Sequence, residues 1–547
     1  MRNFKDKVVY QIYPKSFYDS NGDGVGDLNG VTEKLDYLKS LGVDFLWLTP
    51  FFKSPQRDNG YDVADYMSVE PMFGTMADAE RLIREAEKRG IGLMLDMVFN
   101  HTSTAHAWFQ KALAGDKKYQ DYYIFREGGP DAPPTNWQSK FGGSAWKYVP
   151  QLKKWYLHLF DVSQADLNWE NPAVREELKN VINFWKGKGV KGFRFDVVNL
   201  ISKPALLEDD LQGDGRRFYT DGPRVHEFIH ELVRDTGLAE NITVGEMSST
   251  TLEHCIRYSA PENGELGMVF NFHHLKIDYK NGDKWQMQSP DLKQLRDLFC
   301  TWQTGMERGG GWNAVFWCNH DQPRIVSRLG NDQLYWKESA KMLATCIHLL
   351  RGTPYIYQGE ELGMTNAYFD DIRQYRDVES LNYHDILLKS LPEEQVTAIL
   401  QARSRDNSRT PMQWSSNPNA GFTDGTPWIA VPEYKPEANA DDEENDPLSI
   451  LNYYRRLVRL RKEQPVIASG SIRFVYPDQA GLVAYERQLN EQRLLVLCNF
   501  TETTLSLPLE EGWGNARCLT DSYEQPPRIT SNSLALRPYE GCALLLH

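Results

Sequence analysis

Eight short, almost wholly apolar runs recur along the first two thirds of the chain, and helical segments lie between them. The runs fall at residues 8–13, 43–48, 91–98, 190–197, 242–246, 268–272, 314–318 and 354–358. Helical periodicity places helices at 32–41, 76–89, 172–187, 225–236 and 338–350, the first two stopped by Gly42 and Gly90. Strand, helix, strand with short links predicts parallel strands and right-handed crossovers. Eight such units predict an α/β fold, a (β/α)8 barrel.

Two segments break the alternation. Residues 101–168 are rich in Trp, Tyr, Gly and Pro and lack a long helix. That is too long for a loop of a barrel, so a small inserted domain is expected after the third strand, overhanging the strand ends. Residues 364–446 are irregular and end in an acidic, Pro-containing run, 433–446, expected as a solvated surface loop. After a helix at 449–463 only strands recur, at 472–476, 482–487, 494–500 and 542–546. The expected division is a barrel at 1–100 and 169–465, an inserted domain at 101–168, and a C-terminal all-β sandwich at 466–547. A chain of 547 residues exceeds what one core can organise.

The strand at Gly192–Asn199 carries the first chemistry. Phe193, Phe195 and Val197 alternate with Arg194, Asp196 and Val198, so Arg194 and Asp196 share a face. Burying both costs several kcal/mol per ion (roughly) unless each is paired. A lone Arg-x-Asp is more often a structural ion pair. At the carboxyl end of a barrel strand it also suits a nucleophilic carboxylate held ionised by its neighbour. The other strand ends decide in favour of a site. They carry Asn59-Gly60-Tyr61-Asp62, Asp96 through Asn100 and His101, Glu246, and Asn319-His320-Asp321-Gln322. Each alone reads as a cap or turn; together, at matching positions, they point to one site. Clustered carboxylates repel, so their environments must split their ionisation. Glycoside hydrolysis requires that split.

Residues 19–27 place Asp19, Asn21, Asp23, Val25 and Asp27 at alternate positions, with Gly24 after the third. That matches the first half of a calcium loop, where alternate residues supply about 6–8 oxygen ligands. Gly30 stands where a bidentate Glu would close an EF-hand, so Asp27 would have to close the site. Calcium is the expected ion; the alternative is an Asp/Asn/Gly turn without one. No organic cofactor is expected.

Charge narrows the partners. With 61 basic and 75 acidic residues the net charge is -14, which argues against nucleic acid and anionic membrane but leaves room for one basic pocket. No apolar run spans a bilayer, and Met1–Asp6 lacks the apolar core of a signal peptide. Seven cysteines without CxxC spacing suggest free thiols in a reducing compartment. A cytoplasmic protein, monomeric or weakly homo-oligomeric, is expected.

The stretches Asp96–His101 (DMVFNH), Gly192–Asn199 (GFRFDVVN), Val244–Met247 (VGEM) and Asn319–Gln322 (NHDQ) resemble the four signature regions of the alpha-amylase superfamily. Gln164–Asn168 (QADLN) resembles its oligo-1,6-glucosidase branch, and the resemblance covers nearly the whole chain. It implies a retaining α-glucosidase. Asp196 would attack the anomeric carbon and form a covalent glucosyl ester. Glu246 would protonate the leaving oxygen and later deprotonate water. Asp321 would hold sugar hydroxyls and raise the pKa of Glu246; Arg194 would keep Asp196 ionised; His101 and His320 would bond hydroxyls. Asp62 and Arg405, supported by Arg409, would close the pocket behind one glucose. Tyr61 would stack on that ring, beside Phe160 and Gln164. The calcium would be structural.

The runs VVNLISK, GDGRRFYTDGPR, GEMSSTTLEHC, FNFHHLKIDY and FWCNHDQPRIVSRLG point, within that resemblance, to a small phosphorylated disaccharide, trehalose 6-phosphate, cleaved to glucose and glucose 6-phosphate. After the sixth strand the chain is basic, with His273, His274, Lys276, Lys280 and Lys284, where oligo-1,6-glucosidases tend to be acidic at positions 273 and 276. Charge-assisted bonds to phosphate contribute about 1.5–3 kcal/mol each. Lys276, Lys284 and His274 are the expected phosphate-side residues and Lys203 a further candidate; solvated loop lysines are the alternative. The runner-up substrate is an isomaltose-type α-1,6-glucoside. A non-catalytic transporter subunit of the same fold would carry a membrane segment and lose its carboxylates; this chain does neither.

Overall fold

The computed structural model describes residues 4–510, 512–530 and 532–546; Met1–Asn3, which begin the N-terminal stretch discussed above, lie outside them. Eight parallel strands form one sheet: β1 (Val9–Ile12), β2 (Phe45–Leu48), β3 (Gly92–Met97), β4 (Gly192–Phe195), β5 (Ile242–Glu246), β6 (Met268–Phe270), β7 (Ala314–Val315) and β8 (Thr353–Tyr357). Their order is β6-β5-β4-β3-β2-β1-β8-β7. A single parallel bridge between Val269 and Asn313 joins the two ends, with Val269 N donating to Trp312 O at 3.2 Å. The (β/α)8 barrel is therefore closed. Apart from half-buried Gly92, every residue of these strands is buried, as helices cover the outside and side chains fill the inside.

β6 and β7 are shorter than their apolar runs. Beyond Phe270 the chain turns into a 3-10 segment, His273–Leu275, and beyond Val315 it leaves the ladder toward Asn319–Asp321. The helix expected at 32–41 starts earlier, at Leu28, because the Asp27 carboxylate caps it by accepting Gly30 N. It breaks at Lys34 into Leu28–Glu33 and Leu35–Leu41. The helix Met76–Lys88 begins with a capping box between Thr75 and Asp78. Pro172–Gly187 and Val225–Thr236 lie where periodicity places them.

Between β3 and β4 the chain builds a three-stranded antiparallel sheet from Phe125–Glu127, Trp146–Val149 and Lys154–Leu157. His101–Ser103 pairs with Gln164–Asp166 and ties both ends of the segment to the top of β3. Its core of Trp137, Trp146, Trp155 and Leu157 also takes in Val197 and Leu200, just past β4. The overhanging segment thus packs directly on the strand end that bears Asp196.

Residues 364–446 are more ordered than their composition suggests. Helices Val378–Leu387 and Glu393–Arg403 enclose a small core of Trp285, Phe369, Tyr375, Val396, Leu400 and Ile429. The acidic run is not wholly solvated: it forms a short helix, Ala440–Glu444, and buried Glu443 accepts Leu451 N at 2.8 Å. Past the helix Ile450–Glu463, five antiparallel strands order as Ser471–Phe474, Leu482–Leu489, Gln492–Asn499, Gly541–Leu546 and Arg517–Asp521. A three-stranded sheet packs on them around Leu495, Leu497, Leu507 and Leu534.

The loop at 19–27 closes on the chain itself. The Asp19 carboxylate accepts the amides of Asn21, Gly22 and Gly24 and the Thr423 hydroxyl. Asn21 and Asp23 each accept the amide two residues on, and Asp27 accepts Ser20 and Gly30. The oxygens are of the kind calcium takes, but most are engaged with amides and hydroxyls. Among the described residues no group of three His, Cys, Asp or Glu could hold a metal. An ion held by Asp19, Asn21, Asp23, Val25 and Asp27 would therefore depend on the Asn21 side chain and the Val25 carbonyl as well as on carboxylates. The loop also docks on residues 422–428, with Trp428 N donating to Gly24 O at 2.9 Å. Gly24 has φ +92, and a Cβ there would lie 1.8 Å from Thr426 O. Gly24→Ala is expected to destabilise the protein by roughly 2–4 kcal/mol, read as a fall in Tm; an unchanged Tm would remove this docking from the structure's supports.

Candidate active site

Strand register gathers the acidic groups. Arg194 on β4 lies opposite Asp96 on β3, and Phe195 lies opposite Gly245 on β5. Asp196 therefore leaves β4 beside Glu246 at the end of β5. One guanidinium joins all three carboxylates. Arg194 Nη1 donates to Asp96 Oδ1 and Asp196 Oδ1, both at 2.6 Å, and Nη2 donates to Glu246 Oε2. Trp47 stacks on the guanidinium, 4.9 Å from its carbon. Asp96 also accepts Tyr61 OH at 2.9 Å and Trp47 Nε1 at 3.1 Å. Val197, next to Asp196, sits in the left-handed region at φ 35, ψ 38. That conformation is strained for a β-branched residue and holds only because its surroundings enforce it.

Three carboxylates on one cation cannot all ionise cheaply in a buried site. Burial pushes the Glu246 carboxyl up to about 8; Asp196 and Asp321 add to the rise and Arg194 opposes it. Burial also raises Asp196, but Arg194 limits that rise to about 6. Arg194 thus moderates the nucleophile's pKa and does not hold it in the ordinary range. The Glu246 and Asp196 side chains hydrogen-bond to each other. At pH 7 that bond is a proton held on Glu246 and shared toward an ionised Asp196. Two carboxyls in hydrogen-bond contact suit double displacement, not the wider gap of about 6.5–9.5 Å that leaves room for a water between them.

Asp321, past β7, is treated differently. Burial would raise it, yet His320, Arg405 and Arg409 outweigh burial and hold it well below the carboxylate range. Burial keeps the His320 ring itself near 3, so at pH 7 the ring is neutral and the guanidiniums carry the effect. Arg405 Nη1 donates to Asp321 Oδ1 at 3.1 Å and Arg409 Nη2 at 2.8 Å.

A cavity of about 240 Å³ opens onto Asp196, Glu246 and Asp321 and is walled by Tyr61, His101, Phe160, Gln164 and Arg405. Several expected residues stand elsewhere. Asp62 is fully buried and does not reach the cavity: it accepts the amides of Arg57 and Asp58 and the Ser54 hydroxyl, each at 3.0 Å. Asp58 takes the place expected for it, pairing with Arg405 Nη2 at 3.0 Å and accepting Gln164 Nε2 at 3.0 Å. Asn59 and Gly60, at φ 47 and 103, reverse the chain between the two aspartates and turn them apart. His320 lies behind Tyr61, their rings stacked 4.9 Å apart, with its Nδ1 2.8 Å from Gln11 Nε2. Arg409 is likewise behind the wall, donating to His320 O at 2.8 Å.

The basic candidates separate as well. Lys276 and Lys284 line the cavity, but Lys284 Nζ is 2.6 Å from Glu379 Oε2. His274 is turned into the core, its Nε2 2.9 Å from Phe316 O among Phe299, Phe316 and Trp317. The 3-10 turn that exposes Lys276 directs His274 inward. Lys203 is buried between Asn100 Oδ1 at 2.8 Å and Asp166 Oδ2 at 2.7 Å, so it supports the strand pair under His101. Sequence reasoning missed Asp58, Lys140, Asp377 and Glu379. Asp58 was visible as a second aspartate four residues from Asp62. Lys140, within the inserted segment, and the Asp377–Glu379 corner that binds Arg405 carry no local signal.

Comparison with known proteins agrees with this architecture. Residues 11–470 match the family model described as alpha amylase, catalytic domain, and residues 482–542 match the alpha-amylase SusG C-terminal domain. The chain is 53% identical to a trehalose-6-phosphate hydrolase of Bacillus subtilis, over 98% of this chain and 97% of that protein. It is 46% identical to an oligo-1,6-glucosidase of Parageobacillus thermoglucosidasius, over 98% of each. The crystal structure of a trehalose-6-phosphate hydrolase of Bacillus licheniformis superposes with a TM-score of 0.94 at 54% identity, over 99% of each chain. With its barrel, its inserted segment and its three carboxylates in register, the chain belongs to the alpha-amylase family.

Proposed function

We propose that this chain is a retaining α-glucosidase that hydrolyses trehalose 6-phosphate to glucose and glucose 6-phosphate. The observation that carries the reading is the Arg194 guanidinium, which holds the carboxyls of Asp196 and Glu246 side by side at the rim of the cavity. Ionised Asp196 attacks the anomeric carbon while Glu246 gives its proton to the departing glycosidic oxygen, and glucose 6-phosphate leaves. Glu246 then takes a proton from water, whose oxygen attacks the same carbon and breaks the glucosyl ester. Asp321, kept ionised by Arg405 and Arg409, accepts hydrogen bonds from hydroxyls of the retained glucose, and Asp58 and Arg405 close the cavity behind it. The two trehalose-6-phosphate hydrolases named above are more similar to this chain than the oligo-1,6-glucosidase is, which supports the phosphorylated substrate.

We also propose the division into a barrel at 1–100 and 169–465, an insert at 101–168 and a C-terminal domain at 466–547; an apolar cluster within the C-terminal part, and one centred on the insert that also takes in Val197 and Leu200, support it. A cytoplasmic location belongs to the same reading, supported by seven free cysteines. No helix of the described residues is long and apolar enough to cross a membrane. A structural calcium at residues 19–27 is retained as a proposal from the spacing of the oxygen-bearing residues, and no catalytic step passes through it.

Four measurements test this. Glucose release from trehalose 6-phosphate is expected to exceed that from isomaltose by about 100-fold or more in kcat/KM, the effect of two charge-assisted contacts; equal rates would return the chain to the uncharged substrate. For an uncharged aryl α-glucoside, kcat/KM is expected to rise through about pH 6 and fall through about pH 8. Below the first value Asp196 is protonated and cannot attack; above the second Glu246 has lost the proton it must give. Glu246→Gln is expected to lower the rate about 10²–10⁴-fold, and a flat profile would sink the assignment. Dialysis against EDTA tests the calcium: a Tm lowered by several degrees (roughly) supports it, and an unchanged Tm leaves loop closure to its hydrogen bonds alone.

A further inference from the structure

Three lysines line the cavity, and their surroundings differ. Lys284 is neutralised by Glu379. Lys140 has one side-chain hydrogen bond, a long one of 3.3 Å to Ser248 Oγ, and Lys276 has no carboxylate within ion-pair distance among the described residues. Arg216 acts on both through its charge, but Asp214 holds its guanidinium at 2.9 Å. The balance is two uncompensated positive charges beside a cavity. Ser248 lies two residues past Glu246, so its bond to Lys140 places that ammonium on the side of the proton donor and thus of the leaving sugar.

We infer that Lys140, from the inserted segment, and Lys276, from the turn after β6, together grip the phosphate of the leaving sugar. This rests on the reading of the site as a phosphotrehalase. A phosphate monoester carries about -1.5 to -2 charges at pH 7, which matches two free ammoniums. Lys284, favoured from sequence, is instead part of the Arg405 corner: Glu379 lies 3.5 Å from Arg405 as well as 2.6 Å from Lys284.

Both lysines are held from behind. Asn199 exchanges hydrogen bonds with the Ser248 backbone, 2.9 Å each way, and so fixes the residue to which Lys140 points. Ser249 next to it is held at φ 55, a strained value for a non-glycine residue. Asp278 is clamped between Arg328, at 2.7 Å, and Arg403, at 2.5 Å, which fixes the turn bearing Lys276. Burial, helped by the charges of Arg216 and Lys276 and opposed by Asp214 and Glu246, lowers Lys140 to about 8. Burial, then Arg216, lowers Lys276. Two desolvated ammoniums without a counter-ion are costly to keep, and an entering dianion relieves that cost.

The test compares wild type, Lys140→Ala, Lys140→Arg, Lys276→Ala and Lys284→Ala on trehalose 6-phosphate and on an aryl α-glucoside. Glucose 6-phosphate and glucose serve as competing inhibitors of aryl glucoside cleavage. Lys140→Ala and Lys276→Ala are each expected to lower the ratio of kcat/KM for the phosphorylated over the uncharged substrate by about 10- to 100-fold, through KM. Inhibition by glucose 6-phosphate weakens by a similar factor, and inhibition by glucose does not follow. Lys284→Ala moves both substrates together. Between pH 7 and 9 the wild-type KM for the phosphorylated sugar rises as Lys140 loses its proton; Lys140→Arg restores the ratio and flattens that rise. An unchanged ratio in Lys140→Ala, or a rise that persists in Lys140→Arg, overturns the assignment. A wild type that ignores trehalose 6-phosphate yet loses glucose 6-phosphate inhibition in Lys140→Ala would refute the substrate and keep the clamp.

Discussion

A single buried guanidinium holds this site together. Arg194 is surrounded by Asp96, Asp196 and Glu246, so its one positive charge faces three acids. Removing it would leave uncompensated carboxyls in low dielectric, a loss of several kcal/mol by the general cost of unpaired buried charge (roughly). Because one cation cannot satisfy three anions, a proton must reside in the cluster. The environment assigns it to Glu246, the highest of the three in proton affinity. Acid and nucleophile are therefore products of one shortage of positive charge, not of two separately tuned pockets.

A second balance governs the far wall of the same cavity. Around Asp321, Asp58 and Asp377, the cations Arg405 and Arg409 are spent on fixing carboxylates. Lys140 and Lys276 are not spent, although the chain as a whole is strongly acidic. The cavity thus has one end where charge is saturated and hydrogen-bond geometry reads a neutral sugar, and another where charge waits for an anion. An acidic surface with one local basic wall also disfavours polyanions while admitting a small dianion.

Much of the barrel was legible because alternating strands and helices leave few topologies, and the strand-end motifs share one face of it. Arg194, Asp196, Glu246 and Asp321 could be named from sequence because barrel strands direct their carboxyl ends to one rim. The errors arose where local conformation decides direction. Asp58 and Asp62 are equivalent as letters, and the left-handed Asn59 and Gly60 between them settle which one meets Arg405. His274 and Lys276 are two residues apart, and a 3-10 turn sends one to the core and the other to the cavity. Lys284 looked free because Glu379 is 95 residues away. The helices within 364–446 were hidden because their apolar residues serve a small separate core instead of one long stripe.

The barrel wall is not equally stiff all round. β4 is laced to β3 and β5 by four residue pairs on each side, whereas β6 and β7 meet through one bridge at Val269 and Asn313. The tightly laced arc lies beneath Asp196 and Glu246; the seam lies beside the turn that bears Lys276. The sparsest backbone pairing of the ring thus falls on the side assigned to the departing product, and full four-pair ladders lie beneath the carboxylates that make and break bonds.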